Sequence, residues 1–495
     1  MPEIDLTAVP VAELDVVVNP CDLRHDLHIF ASYVEERAAA KCEIKRSHRD
    51  NRLPKADALR LAKMMADPAA AAEIGESGES RWINFIDRLS LSLGFVKYET
   101  VGIYAGYSSV TESYPDNYIA FHQDRYERFL SKPLQAQEDA LWNALAKDGE
   151  CGDSEFFSPG PTSRLDRFSR YGCATGVMPL IKFAPIRLML LKCLASCRSG
   201  VWYSTASFIA YLKVQHRYFL IPQDVPRGGP RYDNFTERHE RNKGTPGAST
   251  HITDKSPDAF ERVEGRFVER FLEGIPFALG YVDVAYAKPI ERSENFTAPS
   301  INTLRAFRLT DRFLLALRNE IREPRVTVLP DFEVHIDSPF YPASLMSKFL
   351  GLGEFLAVGP RIVLKLNKAK ASALMAAGSG PDALFLLRQA TSRELPANIV
   401  TELKGWSDHA EIFTLYDGFG LLESRLSLAP GDSMVAAQIS STIAVISEPD
   451  ACYERLEKAA EVPIKLRHSD SSLRDLSRGT QSLFSRERQN RDAKN

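Results

Sequence analysis

The residues best placed to do chemistry in this chain are cations. Between Lys41 and Lys63 there are eight Lys/Arg (Lys41, Lys45, Arg46, Arg49, Arg52, Lys55, Arg60, Lys63) against three acidic residues. The stretch reads as a loop entering a helix, where side-chain cations and free backbone N–H groups can meet phosphate together. From Phe168 to Gln223 there is no acidic residue and there are seven Lys/Arg, with Trp202, Tyr203, Tyr211 and Tyr218 interleaved. Cations among aromatic rings suit a duplex end or a single strand, whose exposed bases stack. The candidate DNA-binding residues are therefore Lys45, Arg46, Arg49, Arg52 and Lys55 in the first cluster, and Arg198, Lys213, His216 and Arg217 in the second. Each has a plainer alternative: the first as a solvated helix face, the aromatics of the second as core. A third stretch, residues 467–495, has seven Lys/Arg and four acidic residues and reads as a flexible, solubilising basic tail.

Other spacings that imitate catalytic sites lack the backbone such sites need. Asp331 with Glu402-Leu-Lys404 has the letters of a metal-dependent nuclease, but the pattern Ile399, Val400, Leu403, Trp406 puts Glu402 on a helix. On a helix, residues two apart diverge, whereas that chemistry wants both on one face of a strand. Cys193 and Cys197 lie in an apolar run and read as core rather than as zinc ligands. Asp22, His25 and His28 read as a helix N-terminal turn. There is no GxxxxGK[ST] phosphate loop, no GxGxxG fingerprint and no GxSxG elbow. No catalytic residue, metal site or cofactor is predicted, and the chain is not expected to be an enzyme.

The elements that must position these cations follow from length and pattern. With 495 residues the chain has room for roughly three domains. A hydrophobic fraction of 44% and a net charge of −3 describe an ordinary folded protein that binds nucleic acid only through local patches. Seven dispersed cysteines, no signal-like N-terminus and no long apolar run lead us to expect a cytoplasmic protein without a membrane span.

Residues 1–20 read as a tail. Helices are predicted from Leu27, from Pro54 and over Trp82–Leu93, the last closed by Gly94 and followed by the strand-like Phe95-Val-Lys-Tyr. Ile186–Cys197 and Trp202–Leu212 read as two further helices. Residues 222–258 read as a polar insertion, Tyr281–Tyr286 as a strand, and Leu304–Leu317 as strand, Thr310 N-cap and helix. Helices followed by a strand pair describe winged-helix modules over 21–150 and 160–320. From Arg325 the pattern becomes α/β. Strands are expected at Val326, Arg361 and Thr442, and proline-opened helices at Pro381–Thr391 and Pro396–His409.

In this second half Leu329-Pro-Asp-Phe-Glu-Val, Phe385-Leu-Leu-Arg-Gln-Ala-Thr-Ser-Arg-Glu-Leu-Pro-Ala-Asn-Ile and Leu403-Lys-Gly-Trp resemble the N-terminal domain of XPB-type helicases in its bacterial, helicase-associated form. The resemblance is stronger over 325–465, within the domain expected at 325–467, and looser over 25–320. It implies a domain that lies beside a superfamily-2 motor and grips or senses DNA. Without a phosphate loop, that motor would have to be another polypeptide. The expected fold is α+β and helix-rich: tandem winged-helix modules, then a small α/β XPB-N-terminal-like domain, then a basic tail at 468–495. The expected role is a DNA-binding accessory protein in DNA repair or defence, acting on duplex, forked or single-stranded DNA with a separately encoded helicase or nuclease. The alternatives are a protein–protein adaptor and a winged-helix transcriptional regulator.

Overall fold

The structure is a computed structural model. It describes residues 4–67, 69–104, 112–146, 183–224, 231–232, 236–238, 249–288, 304–357, 361–376, 382–410, 420–423, 435–452 and 455. It is mixed α and β and divides into two units, residues 1–410 and 411–495.

In the first unit, β1 (Leu14–Val17) precedes α1 (Leu23–Ala39), α2 (Lys55–Ala62), α3 (Ala69–Ser77) and α4 (Arg81–Leu93). Asp22 caps α1 by accepting from the backbone of Arg24 and His25, and Ser80 caps α4 by accepting from Ile83. Gly94 ends α4 at φ 76°, left-handed backbone in which a side chain would be strained. A ribbon follows, in which β2 (Val96–Lys97) pairs with β5 (Ala120–Phe121) and β3 (Ile103–Tyr104) with β4 (Glu112–Ser113). Then come α5 (Gln123–Leu130), α6 (Leu134–Ala146) and α7 (Phe183–Leu194).

The next elements are β6 (Trp202–Ser204), α8 (Thr205–Gln215) and the hairpin of β7 (Thr236–Arg238) with β8 (Ser249–His251). A π-helical turn at Glu261–Gly265 leads into α9 (Arg266–Glu273), α10 (Ile275–Ala278), β9 (Val282–Ala287), β10 (Leu304–Leu309) and α11 (Asp311–Leu317). The strand, cap and helix at 304–317 are as the sequence predicts, with Thr310 Oγ1 accepting from Phe313.

Two readings need correction here. Trp202–Ser204 is a strand rather than a helix start, because Ser204 is the N-cap of α8 and accepts from Ser207. Residues 1–20 are not a free tail. β1 pairs with β9, giving an antiparallel sheet of order β1–β9–β10–β6. Thr7–Val9 lie along the other edge, where Val9 N–H donates to Trp202 and Ser204 N–H to Thr7, each at 2.9 Å. One segment thus pairs with β9 through β1 and lines β6 through Thr7–Val9, satisfying backbone groups of those two strands that would otherwise recruit another chain. Ile4 and Leu6 are buried with it.

β11 (Arg325–Val328), β12 (Glu333–Asp337), α12 (Ala343–Phe349), β13 (Gly353–Ala357) and β14 (Arg361–Leu366) form a second antiparallel sheet of order β11–β12–β14–β13. α13 (Lys368–Ala376), α14 (Ala383–Ala390) and α15 (Ala397–Ala410) complete it. Strict alternation puts Val326, Val334, Ile336, Ile362 and Leu364 in the core, while Arg325, Glu333, Asp337, Arg361 and Lys365 lie on the opposite face. Asp382 caps α14; Pro381, the expected opener, lies outside the described residues.

The apolar core over 326–406 is distinct from the one over 4–313. A buried ionic hub nevertheless ties the two. The Arg24 guanidinium donates to Glu138 (3.1 Å), to the carbonyls of Tyr341 (3.3 Å) and Leu134 (3.4 Å), and to Gln137, while Glu138 also accepts from the Tyr281 hydroxyl (2.9 Å). The expected single domain over 325–467 is therefore corrected: its first part belongs to the unit that starts at residue 1, and the division falls after Ala410. In the second unit, β15 (Gly420–Glu423), β16 (Val435–Gln438) and β17 (Ile443–Ile446) form a sheet of order β15–β17–β16 over Ala444, Ile446 and Cys452.

Candidate nucleic-acid interface

The first cation cluster is folded onto its own carboxylates. Lys45 Nζ is 2.6 Å from Asp116 Oδ1 and lies over the Tyr118 ring. Arg46 turns inward at 5% exposure. Its Nη1 and Nη2 grip Asp87 Oδ1 and Oδ2 at 3.1 and 2.7 Å, its Nε donates to Asn51, and its guanidinium lies 3.8 Å from the Tyr98 ring centroid. Burial pushes the Asp87 carboxyl up, and Arg46 opposes that rise by favouring its charge. Arg46 is therefore withdrawn as a phosphate ligand: it is a buried strut between the 44–52 loop and α4. Arg52 is shared between Glu79 (2.6 Å) and Asp50 (3.5 Å). Arg49 and Lys55 are exposed and make no ion pair among the described residues.

The second cluster divides in two. Arg198 lies between α7 and β6, where its N–H donates to the Tyr203 hydroxyl and Ser199 bonds Asp311. Lys213, His216 and Arg217 come together at the end of α8. Lys213 Nζ is 2.6 Å from Glu261 Oε1, His216 stands edge-on to Tyr211, and Arg217 is exposed with no ion pair among the described residues. Trp202 is half-buried beneath the Arg308 guanidinium, which is itself 2.6 Å from Asp283. The part of the acid-free stretch before Phe183 lies outside the described residues, as does the 467–495 tail.

Three further residues complete this end of α8, and sequence reasoning missed them. The Arg231 guanidinium lies 4.9 Å from the Tyr218 ring centroid and 5.1 Å from that of Tyr232. Its Nη2 donates to the Ile221 carbonyl and to Glu264 Oε1, both at 3.1 Å. The Tyr232 hydroxyl donates to the same carboxylate, and Asp254 accepts from the backbone N–H groups of both residues. Glu264 is fully buried within the π-helical turn, where Gly265 gives Ile209 room that a Cβ would take at 3.1 Å. Burial pushes the Glu264 carboxyl up to about 8, against the pull of Arg231 and Tyr232. An Arg-Tyr pair inside a proline- and glycine-rich insertion gave no local signal of this anchor.

Every residue of α9 is buried, with Arg266 paired to Glu269 and Arg270 to Glu273, each at 2.5 Å, so that helix has no face for a DNA groove. His25 and His28 lie on α1. His28 bonds the Tyr126 hydroxyl, and burial lowers its imidazole to about 4. Cys193 and Cys197 are buried. Among the described residues no three His, Cys, Asp or Glu side chains could hold a metal ion, and no helix is long and apolar enough to cross a membrane. Comparison with known proteins finds no family model that matches the chain and no curated protein similar to it.

Proposed function

We propose that this protein is a non-catalytic DNA-binding accessory factor that acts with a separately encoded helicase or nuclease. The observation that carries the reading is the outward array at the end of α8. Arg217 is exposed and makes no ion pair among the described residues, Tyr218 is exposed, and His216 and the Glu261-paired Lys213 lie beside them. Setting aside the β7–β8 hairpin, the π-helical turn and α10, the order α7, β6, α8, α9, β9, β10 with strands arranged β6–β10–β9 resembles the order expected of a winged helix and supports the same reading. With α9 buried, contact passes through the end of α8 and its flank rather than through an inserted third helix. Duplex, forked and single-stranded oligonucleotides titrated across a salt series test this: binding that weakens steeply with salt is expected, and no binding at low salt would remove the reading.

A second reading, a protein–protein adaptor, is favoured by the ribbon of β2–β5. From Tyr98 to Asp124 there is no Lys or Arg, four acidic residues occur, and Val101 and Ile103 are 72% and 60% exposed. A wing of that composition repels phosphate and offers apolar contact to a protein. Val101→Ser/Ile103→Ser would then weaken capture of a partner while leaving DNA binding unchanged.

A further inference from the structure

We infer that Tyr218 is a pre-built stacking platform for an unpaired nucleobase of a single strand, with Arg217 beside it for the adjoining phosphate. The inference rests on the DNA-binding reading above and specifies its ligand. An exposed tyrosine at the end of a helix ordinarily loses rotamer freedom when a base stacks on it. Tyr218 differs because it is backed. The Arg231 guanidinium packs against its ring at 4.9 Å and is tied from behind to the Ile221 carbonyl and to Glu264, whose side chain has no exposed surface. Arg231 packs equally against Tyr232, whose hydroxyl returns to the same carboxylate. The Asp254 carboxylate holds the backbone of both residues.

The ring is thus supported by a chain of contacts that ends in the core, and it still leaves 42% of the residue to solvent. A guanidinium against the ring also matches what stacked bases use: a flat, polarisable partner with positive charge nearby. Arg217 adjoins the ring in sequence, is exposed and makes no ion pair among the described residues. Every base has a π-face, so the platform selects unpaired bases over paired ones without reading sequence.

The test uses the full chain and three fluorescent probes: oligo(dT), an abasic strand of the same length, and a duplex. An oligo(rU) arm separates DNA from RNA. Wild type is expected to bind oligo(dT) more tightly than the abasic strand, which has the phosphates and lacks the bases. Tyr218→Ala should lower oligo(dT) affinity roughly 5- to 150-fold and erase that preference, while Tyr218→Trp keeps it. Arg217→Glu should weaken oligo(dT) and abasic strand alike. Equal wild-type affinity for the two strands, with steep salt dependence, would overturn the platform and leave the DNA-binding reading standing. An unchanged preference in a Tyr218→Ala protein that melts as wild type would also overturn it. Absence of binding to every probe at low salt would remove both.

Discussion

Two stretches of similar cationic composition meet opposite fates. Around residues 44–52 the charge is met within the fold: Arg46 is buried on Asp87, while Lys45 and Arg52 are paired at the surface with Asp116 and Glu79. At the end of α8 Lys213 is paired with Glu261 while Arg217 stays exposed without an ion pair among the described residues, and the buried group is a carboxyl, Glu264, which holds an arginine against an exposed ring. The difference teaches that a cation in a Lys/Arg run is available to a ligand only where the fold brings it no counter-charge, as at Arg217 and, in the first stretch, at Arg49 and Lys55. Those counter-charges are long-range: Asp87 is 41 residues from Arg46, and Asp116 is 71 from Lys45.

The sharpest way to break the comparison is Asp87→Ala. It strands a buried guanidinium and should cost about 3–5 kcal/mol of stability, read as a lower denaturant midpoint. Arg217→Glu should cost less than about 0.5 kcal/mol. Similar losses for the two would mean that both stretches are equally structural.

Glu264→Gln sharpens the other side. A carboxyl raised to about 8 keeps its proton in the folded state while the unfolded chain loses it near the ordinary carboxylate value. Folded protein therefore binds the extra proton between those values, and stability falls as pH rises through that window. His28 has the opposite sign: its imidazole is lowered to about 4, so its stabilising contribution is present above the ordinary histidine value near 6.5 and lost as pH falls toward 4. Between about pH 6.5 and 8 only Glu264, of these two, acts. There its unfolding equilibrium should shift by up to about tenfold per pH unit, and Glu264→Gln should flatten that slope. A slope unchanged in the variant would refute this assignment of the buried proton. The smallest effect is expected for Lys45→Ala: its pair with Asp116 is exposed and screened by solvent, so the thermal melt should stay close to that of wild type.

Much of the local structure was legible in the sequence. Tyr281–Tyr286 follows from a short apolar, β-prone run after Gly280, Leu304–Leu317 from a strand and a threonine cap, and Gly94 from the need for left-handed backbone. What escaped depends on partners far along the chain. β1 is a four-residue strand whose mate, β9, begins at Val282, and Trp202–Ser204 is a strand only because β10 lies beside it. In the candidate site Lys213, His216, Arg217 and Tyr218 could be read from composition. Arg231, Tyr232 and Glu264 could not, since only a fold carries a two-residue piece of a polar insertion onto a buried carboxylate.

The most direct test of the central claim is the salt dependence of DNA binding by wild type and Arg217→Glu, measured side by side. The account predicts binding whose logarithm falls linearly with the logarithm of salt, and a slope smaller by about one in the variant. Identical slopes and affinities would contradict it and move the interaction to the acidic, apolar ribbon at 98–124 and a protein partner.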